Sequence, residues 1–575
     1  MEFSSIFHEP TSRFAYATEK NTFCIRIKTK KSDVKKIVFH SQDKYIPLDY
    51  IDSRFTKEMS LYASDSYYDY WEVKIKIKVI CLRYFFELTD SCGIVSFMGN
   101  IDFYENAITD VDLMFDLPQN LREEEIFTVP KWAKNKIMYQ IFSSRYASSK
   151  TVSPELWYKE NLGRNDVFSG DLKGITERLE HIKELGADAI YFTPIFKSKS
   201  IHKYDIEDYY TIDSSLGTNE DFKFLVEKAH RLGIKIILDA VFNHTSRDFF
   251  AFADIIKNGE KSRYKDWYYI EDFPVSNPDC EGAPNLLCFG YYPGMPKLNL
   301  SNPETRKYFL DVASFWISEY KIDGWRLDVA DEITHDFWQD FRKSVRAKNP
   351  EALIIGECWH YTPDFLDGTQ WDSAMNYPFY NAVRAFIASE TISAQKFVEL
   401  LNFIQGNYHE DVFKVLWNHI DNHDTPRFLY QAAENKNKQM LASAVQLLWP
   451  GMPMIYYGDE YALTGGHDPD CRRGMLWNKD RQDLAMFEWY KKLISIRKTH
   501  LSFTEGKLVS TEVDEESKTV VFKREYDSEI SYLVLSLGKS KENPQILQKF
   551  VGKKDLLSDS CFDGSVKIQA LAFCE

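Results

Sequence analysis

LKGITERLEHIKELGADAIYFTPIF, residues 172–196, reads as a helix, a stop and a strand. Leu172, Ile175, Leu179, Ile182 and Leu185 recur every three or four residues, which places them on one helix face. Gly186 then ends the pattern as a C-terminal cap does, and Gly233 and Gly451 recur ahead of later strands in the same way. AIYFTPIF (189–196) follows as a short apolar run of strand length. The unit repeats along the chain. Further apolar runs are IMYQIF (137–142), KIILDAVF (235–242), GWRLDVA (324–330), ALIIGECW (352–359), SAMNYPF (373–379), KVLWNHID (414–421) and PMIYYGDE (453–460). Helical patterns such as NEDFKFLVEKAHRLG and THDFWQDFRKSVRAKNP lie between them. Eight βα units predict an α/β fold, a closed (β/α)8 TIM barrel with its site at the C-terminal ends of the strands.

The barrel is expected over 123–505. Strand three ends near Phe242, and the stretch 243–300, rich in aromatics and prolines, is too long for a simple connection. It is expected to form an inserted subdomain over the barrel mouth. Residues 1–122 read differently. From Trp71 to Val79, Val73, Ile75 and Ile77 alternate with lysines, as on a half-buried antiparallel strand, and this zone predicts an N-terminal β-sandwich. The strands TVVFKREY, EISYLVLSL and SVKIQALAF predict a small C-terminal β-domain over 506–575.

A formal net charge of −15 makes nucleic acid a poor partner. The N-terminus has no signal-peptide pattern, and no run approaches the ~18 apolar residues of a membrane span. The nine cysteines are scattered without a CxxC pair, which fits free thiols in the cytoplasm. Aromatics reach 15%, which suits large cores and also platforms for stacking sugar rings.

Polar residues gather at the predicted strand ends. Strand two is followed by HKYDIEDYY, with His202, Tyr204 and Asp205. Strand three ends in DAVFNH (239–244), strand four in GWRLDVADE (324–332), strand five in GECWH (356–360), and strand seven leads to DNHD (421–424). There is no GxSxG elbow, no Gly-rich phosphate loop and no cysteine or histidine spacing of a catalytic metal site. Several carboxylates on one rim point to acid–base and nucleophilic work on a glycosidic bond. Arg326 and Asp328 share a strand face, so Arg326 is placed to keep Asp328 ionised as a nucleophile. Glu357, beside Cys358 and Trp359, suits the proton donor.

DAVFNH, GWRLDVADE, GECWH and DNHD resemble, in this order, the four signature regions of the α-amylase family, glycoside hydrolase family 13. MPKLN (295–299), VADE and DPDCRRGMLW (468–477) resemble its neopullulanase, cyclomaltodextrinase and maltogenic amylase subgroup. The resemblance implies a retaining α-glucan hydrolase that cleaves α-1,4 bonds in cyclodextrins, pullulan, starch fragments or maltooligosaccharides, with transglycosylation. Asp328 would be the nucleophile, Glu357 the acid and base, and Asp424 the stabiliser of the distorted sugar. His244 and His423 would bond its hydroxyls and Tyr204 would stack beneath it. Asn243 and Asp239 would brace the site. Trp359 and Glu332 would act on the acceptor side, and Asp468 and Arg472 at the far donor end. The N-terminal module would mediate a homodimer.

Many relatives carry a calcium loop after the first strand, in an RFANGD-like context. Here the stretch is RYASSKTVS (145–153), with Asp171 retained; a lysine near a hard-cation site argues against structural calcium. No cofactor is needed for the chemistry. Two alternatives stand beside this reading: an α-1,6-specific oligoglucosidase or α-glucosidase of the same family, which usually carries QPDLN where this chain has MPKLN, and a non-catalytic interaction protein, which would lose the catalytic carboxylates.

Overall fold

The computed structural model describes residues 1–46, 54–118, 126–164, 166–540, 544–565 and 567–575. The expected domain boundary at 122/123 lies outside the described residues. The chain forms two units. One is Met1–Thr128 with Leu366–Gly368 and Ile392–Phe413; the other is Val129–Phe365, Thr369–Thr391 and Lys414–Glu575.

In the second unit the eight runs form strands β1 (Met138–Ile141), β2 (Ala189–Phe192), β3 (Lys235–Ala240), β4 (Gly324–Leu327), β5 (Leu353–Gly356), β6 (Ser373–Ala374), β7 (Trp417–Asn418) and β8 (Met452–Tyr456). They lie in the order β6-β5-β4-β3-β2-β1-β8-β7. A parallel bridge from Met375 to Trp417 joins the two ends, so the sheet closes into the expected TIM barrel. Register then sets the chemistry. Asp239 on β3 stands opposite Arg326 on β4. The charges that interrupt these apolar strands therefore meet each other inside the barrel.

LKGITERLEHIKELG does not form one helix. It is split into Leu172–Glu177 and Leu179–Leu185 at Arg178, whose N–H bonds back three residues to Ile175 and tightens the turn. The apolar face survives the break: Leu172, Ile175, Leu179, Ile182 and Leu185 are all buried. Gly186 adopts φ 98°, the left-handed conformation that caps the second piece.

The excursion after β3 contains the helix Phe250–Asn258 and folds back on itself through isolated antiparallel bridges. One of these, between His244 and Lys297, brings MPKLN beside the end of β3. The helix Pro303–Glu319 then leads to β4. Asn302 caps its first turn and Pro303 begins it where a missing N–H costs nothing.

The C-terminal strands Lys507–Asp514, Thr519–Tyr526, Glu529–Leu537 and Ile568–Cys574 make one antiparallel sheet. Val521, Val534, Phe550 and Phe573 form its core.

The first unit is a two-sheet sandwich, built around Ile25, Ile27, Phe39, Trp71, Val73, Leu82 and Phe86. The run from Trp71 to Leu88 divides between Tyr68–Lys76 in one sheet and Cys81–Asp90 in the other. The helix Ala394–Asn407 belongs to this unit because Asn402 and Gln405 donate to the carbonyls of Ser64 and Tyr62.

Candidate active site

β4 ends at Leu327, and the chain turns at once. Val329 sits at φ 46°, ψ 46°, a strained conformation for a β-branched residue. The turn is held from two sides: Asp328 N–H donates to Ala240 O, and Val329 N–H donates to Glu357 Oε2 at 2.9 Å. The strain thus sits where β4 must present Asp328 towards Glu357 on β5's C-terminal loop.

Arg326 lies behind both. Its Nη1 donates to Asp328 Oδ1 at 2.8 Å and to both oxygens of Asp239 at 2.9 Å. Its Nη2 lies 2.7 Å from Glu357 Oε2, an ion pair out of line for a hydrogen bond. Three buried carboxylates therefore share one positive charge. Arg326 pairs with Asp328 as their shared strand face predicts, and it pairs with Asp239 and Glu357 as well. Burial pushes the Asp328 carboxyl well above the usual range; Arg326 pulls it down, and the charges of Glu357 and Asp239 push it up again. Asp239 is raised to about 6, chiefly by burial.

A second cluster comes from β1, β2, β7 and the loops that follow. Gln140 Nε2 donates to His423 Nδ1 at 2.6 Å. The other ring nitrogen meets Tyr204 Oη and lies 3.1 Å from Asp424 Oδ2. Burial, reinforced by Arg472 and Arg326, lowers His423 well below its ordinary value, so the ring is neutral. With Nδ1 accepting, its proton lies on Nε2, facing Tyr204 and Asp424. Tyr204 stacks on His423 with planes 5° apart and also donates to Asp239 at 3.1 Å. Tyr191 from β2 donates to the same Asp239 oxygen at 2.6 Å. His244 is buried and lowered to about 3 by desolvation, and its ring stacks on Phe289.

The rim is polar and more open. Arg472 donates to Asp424 at 3.2 Å and pairs with Asp468 at 2.7 Å. Lys297 reaches Asn243 Oδ1 and pairs with Glu332 at 2.9 Å. Trp359 Nε1 donates to Glu357 Oε1 at 3.0 Å while its half-exposed ring stacks on Tyr377 at 4.2 Å.

A cavity of about 540 Å³ opens at the centre. Asp328, Glu357, Asp424, Tyr204, His244, Trp359, Glu332, Asp468 and Arg472 all line it. Arg326 and His423 stand behind the wall, fully buried. Sequence reasoning missed Gln140, Tyr191, Phe289, Lys297 and Tyr377. Gln140 was detectable as the one polar residue within IMYQIF. Lys297 lies within MPKLN, but neither its pairing nor the place of Phe289 was visible, because the fold of the excursion brings them in.

A cavity lined by carboxylates and aromatic faces, backed by one shared guanidinium, at the C-terminal mouth of a closed barrel is the arrangement of a glycoside hydrolase. Comparison with known proteins gives the same answer. The family described as "Alpha amylase, catalytic domain" matches residues 140–486, and "Alpha amylase, N-terminal ig-like domain" matches 1–119. The chain belongs to the α-amylase family. It is 38% identical to a cyclomaltodextrinase of a Bacillus species over 94% of this chain and 96% of that protein. It is 41% identical to neopullulanase 2 of Thermoactinomyces vulgaris, over 94% and 92%. A solved structure of a cyclomaltodextrinase superposes with a TM-score of 0.87 at 38% identity, covering 93% of this chain and 92% of that one.

Proposed function

We propose that this glycoside hydrolase cleaves α-1,4-glucosidic bonds in cyclodextrins, pullulan, starch fragments and maltooligosaccharides, retaining the anomeric configuration and also transferring glycosyl groups. The observation that carries the reading is the placement of Asp328 and Glu357, both on the cavity wall and both on Arg326. Asp328 attacks the anomeric carbon while Glu357 protonates the leaving oxygen; Glu357 then takes the proton of the incoming water. Asp424, aligned by His423 and Arg472, binds hydroxyls of the distorted ring. Tyr204 and His244 hold the same ring, Trp359 and Glu332 receive the acceptor, and Asp468 with Arg472 holds the far donor sugar. The names of the relatives, cyclomaltodextrinase and neopullulanase 2, support the substrate class.

No metal takes part in this scheme, and the residues after β1 do not fit a structural calcium. The Asp171 carboxylate accepts from Ser149 N–H, the Ser149 hydroxyl and Gly174 N–H, so it serves as a helix cap. The chain acts in the cytoplasm as a homodimer joined through its N-terminal module. One relative, 36% identical, is an intracellular maltogenic amylase of Bacillus subtilis, and no helix among the described residues is long and apolar enough to cross a membrane.

Parallel assays on β-cyclodextrin, pullulan and soluble starch test the substrate class. Cyclodextrin is expected to be cleaved fastest, and faster starch cleavage would overturn that preference. Asp328→Asn is expected to abolish reducing-sugar release; retained activity would remove the proposed nucleophile.

A further inference from the structure

At the edge of the cleft, Asp331, Cys358 and His360 bring a carboxylate, a thiol and an imidazole together. Asp331 stands in the turn after β4, and the Cys-x-His pair lies in the loop after β5. Cys358 Sγ is 3.8 Å from Asp331 Oδ2 and 3.4 Å from His360 Nδ1. His360 Nδ1 is 3.8 Å from Asp331 Oδ2. With Zn–S near 2.3 Å and Zn–N or Zn–O near 2.1 Å, the edges of a zinc tetrahedron are about 3.4–3.6 Å. The three donors are therefore spaced close to the edges of a metal polyhedron. The nitrogen–oxygen gap is too long for a direct hydrogen bond.

We propose that Asp331, Cys358 and His360 form a site for a soft divalent cation, zinc by ligand type, with a fourth position open to solvent. Thiolate with imidazole selects such a metal over magnesium or calcium. Cys358 is buried, while the His360 side chain is 66% exposed; Cys358 Sγ is 3.4 Å from its Nδ1 and 3.5 Å from its Nε2, so the ring must rotate to aim a nitrogen at the ion.

The other such grouping, His500, Glu529 and Cys574, differs. There Glu529 Oε1 already meets His500 Nδ1 at 2.8 Å and accepts from Cys574 Sγ at 3.0 Å, so the carboxylate is consumed by direct bonds. At the cleft the contacts to the carboxylate are longer, 3.8 Å from both the thiol and the imidazole, closer to the spacing of donors around an ion. Cys358 lies between Glu357 and Trp359, so an ion held there fixes the segment that carries the proposed proton donor. Turnover is then expected to slow when the metal binds. This consequence rests on the proposed role of Glu357; the binding site itself does not.

Cobalt(II) titration of the full-length protein separates the two. A Cys574→Ser background removes the second grouping. The expected result is one equivalent bound, with visible bands of tetrahedral cobalt and a thiolate-to-cobalt charge-transfer band. Cys358→Ala should remove that band and weaken binding by more than the roughly 10–100-fold cost of an outer-sphere change. Asp331→Asn should weaken binding while keeping the band. Absence of the band, or its persistence in Cys358→Ala, would overturn the site. Zinc that binds yet leaves the rate of glucan hydrolysis unchanged would overturn the inhibitory role alone.

Discussion

Arg326 Nη1 donates to Asp239 across the β3–β4 register while the same nitrogen donates to Asp328 two residues further along β4. One buried guanidinium thus ties the barrel wall to the catalytic rim. Removing it leaves buried carboxylates without a counter-charge. Arg326→Ala is expected to cost about 3–5 kcal/mol of stability, the scale for breaking a buried ion pair. Arg326→Lys is expected to retain part of that stability yet lose activity, because one ammonium cannot span Asp239, Asp328 and Glu357 with a planar fork. Denaturant unfolding and steady-state kinetics on both variants check this. Wild-type kcat in Arg326→Lys would sink it.

The shared charge also sets a pH dependence. Asp328 is raised well above the usual carboxylate range, and Asp239 is raised to about 6. The proposed nucleophile must be ionised, so activity is lost as pH falls through the raised value. The acid limb of kcat/KM, which reports the free enzyme, is expected above the ordinary carboxylate range. Asp239→Asn removes a neighbouring negative charge, which lowers the Asp328 pKa, so the limb should move to lower pH even as kcat falls. A limb that stays in place or moves upward would refute the coupling.

Much of this is legible in the sequence. The eight apolar runs gave the barrel because strand length and helix periodicity are local properties. The gathering of the carboxylates at one rim followed because strand ends in such a barrel all face one mouth. Local pattern could not show that Arg326 reaches Glu357, a contact that depends on the turn at Val329. Nor could it show that Lys297 pairs with Glu332, because the excursion had to fold back first. The helix Ala394–Asn407 read as part of the barrel zone, yet its polar face bonds Ser64 and Tyr62 of the first unit. That pairing is set by contacts far apart in sequence.

The stereochemical outcome follows from the carboxylate pair. Asp328 and Glu357 both reach one guanidinium, which suits the separation of about 5–5.5 Å used for direct nucleophilic attack. Proton NMR during early hydrolysis of a maltooligosaccharide should show the α-anomer first, with the β-anomer appearing only by mutarotation. β-Anomer as the initial product would require an inverting mechanism and rule out a covalent intermediate on Asp328.

Metal removal provides a separate check on the region after β1. Asp171 is occupied as a helix cap by Ser149 and Gly174. Dialysis of zinc-free protein against a chelator is expected to leave both melting temperature and activity unchanged. Loss that is restored by calcium, and not by zinc, would show that this region binds a structural ion after all.

Trp359 joins the proton donor to the acceptor side. Its indole N–H donates to Glu357, and its ring lies over Tyr377 with planes 15° apart. These two contacts make separable predictions. Trp359→Phe keeps a ring on Tyr377 and removes the hydrogen bond, so kcat should change more than acceptor affinity. Trp359→Ala removes the stacking platform as well, worth about 0.5–1.5 kcal/mol for an aromatic pair. The transfer-to-hydrolysis ratio should then fall several-fold, because water needs no platform and a sugar acceptor does. Product ratios at fixed maltotriose concentration measure this. An unchanged ratio in Trp359→Ala would remove Trp359 from the acceptor side and leave it only the hydrogen bond to Glu357.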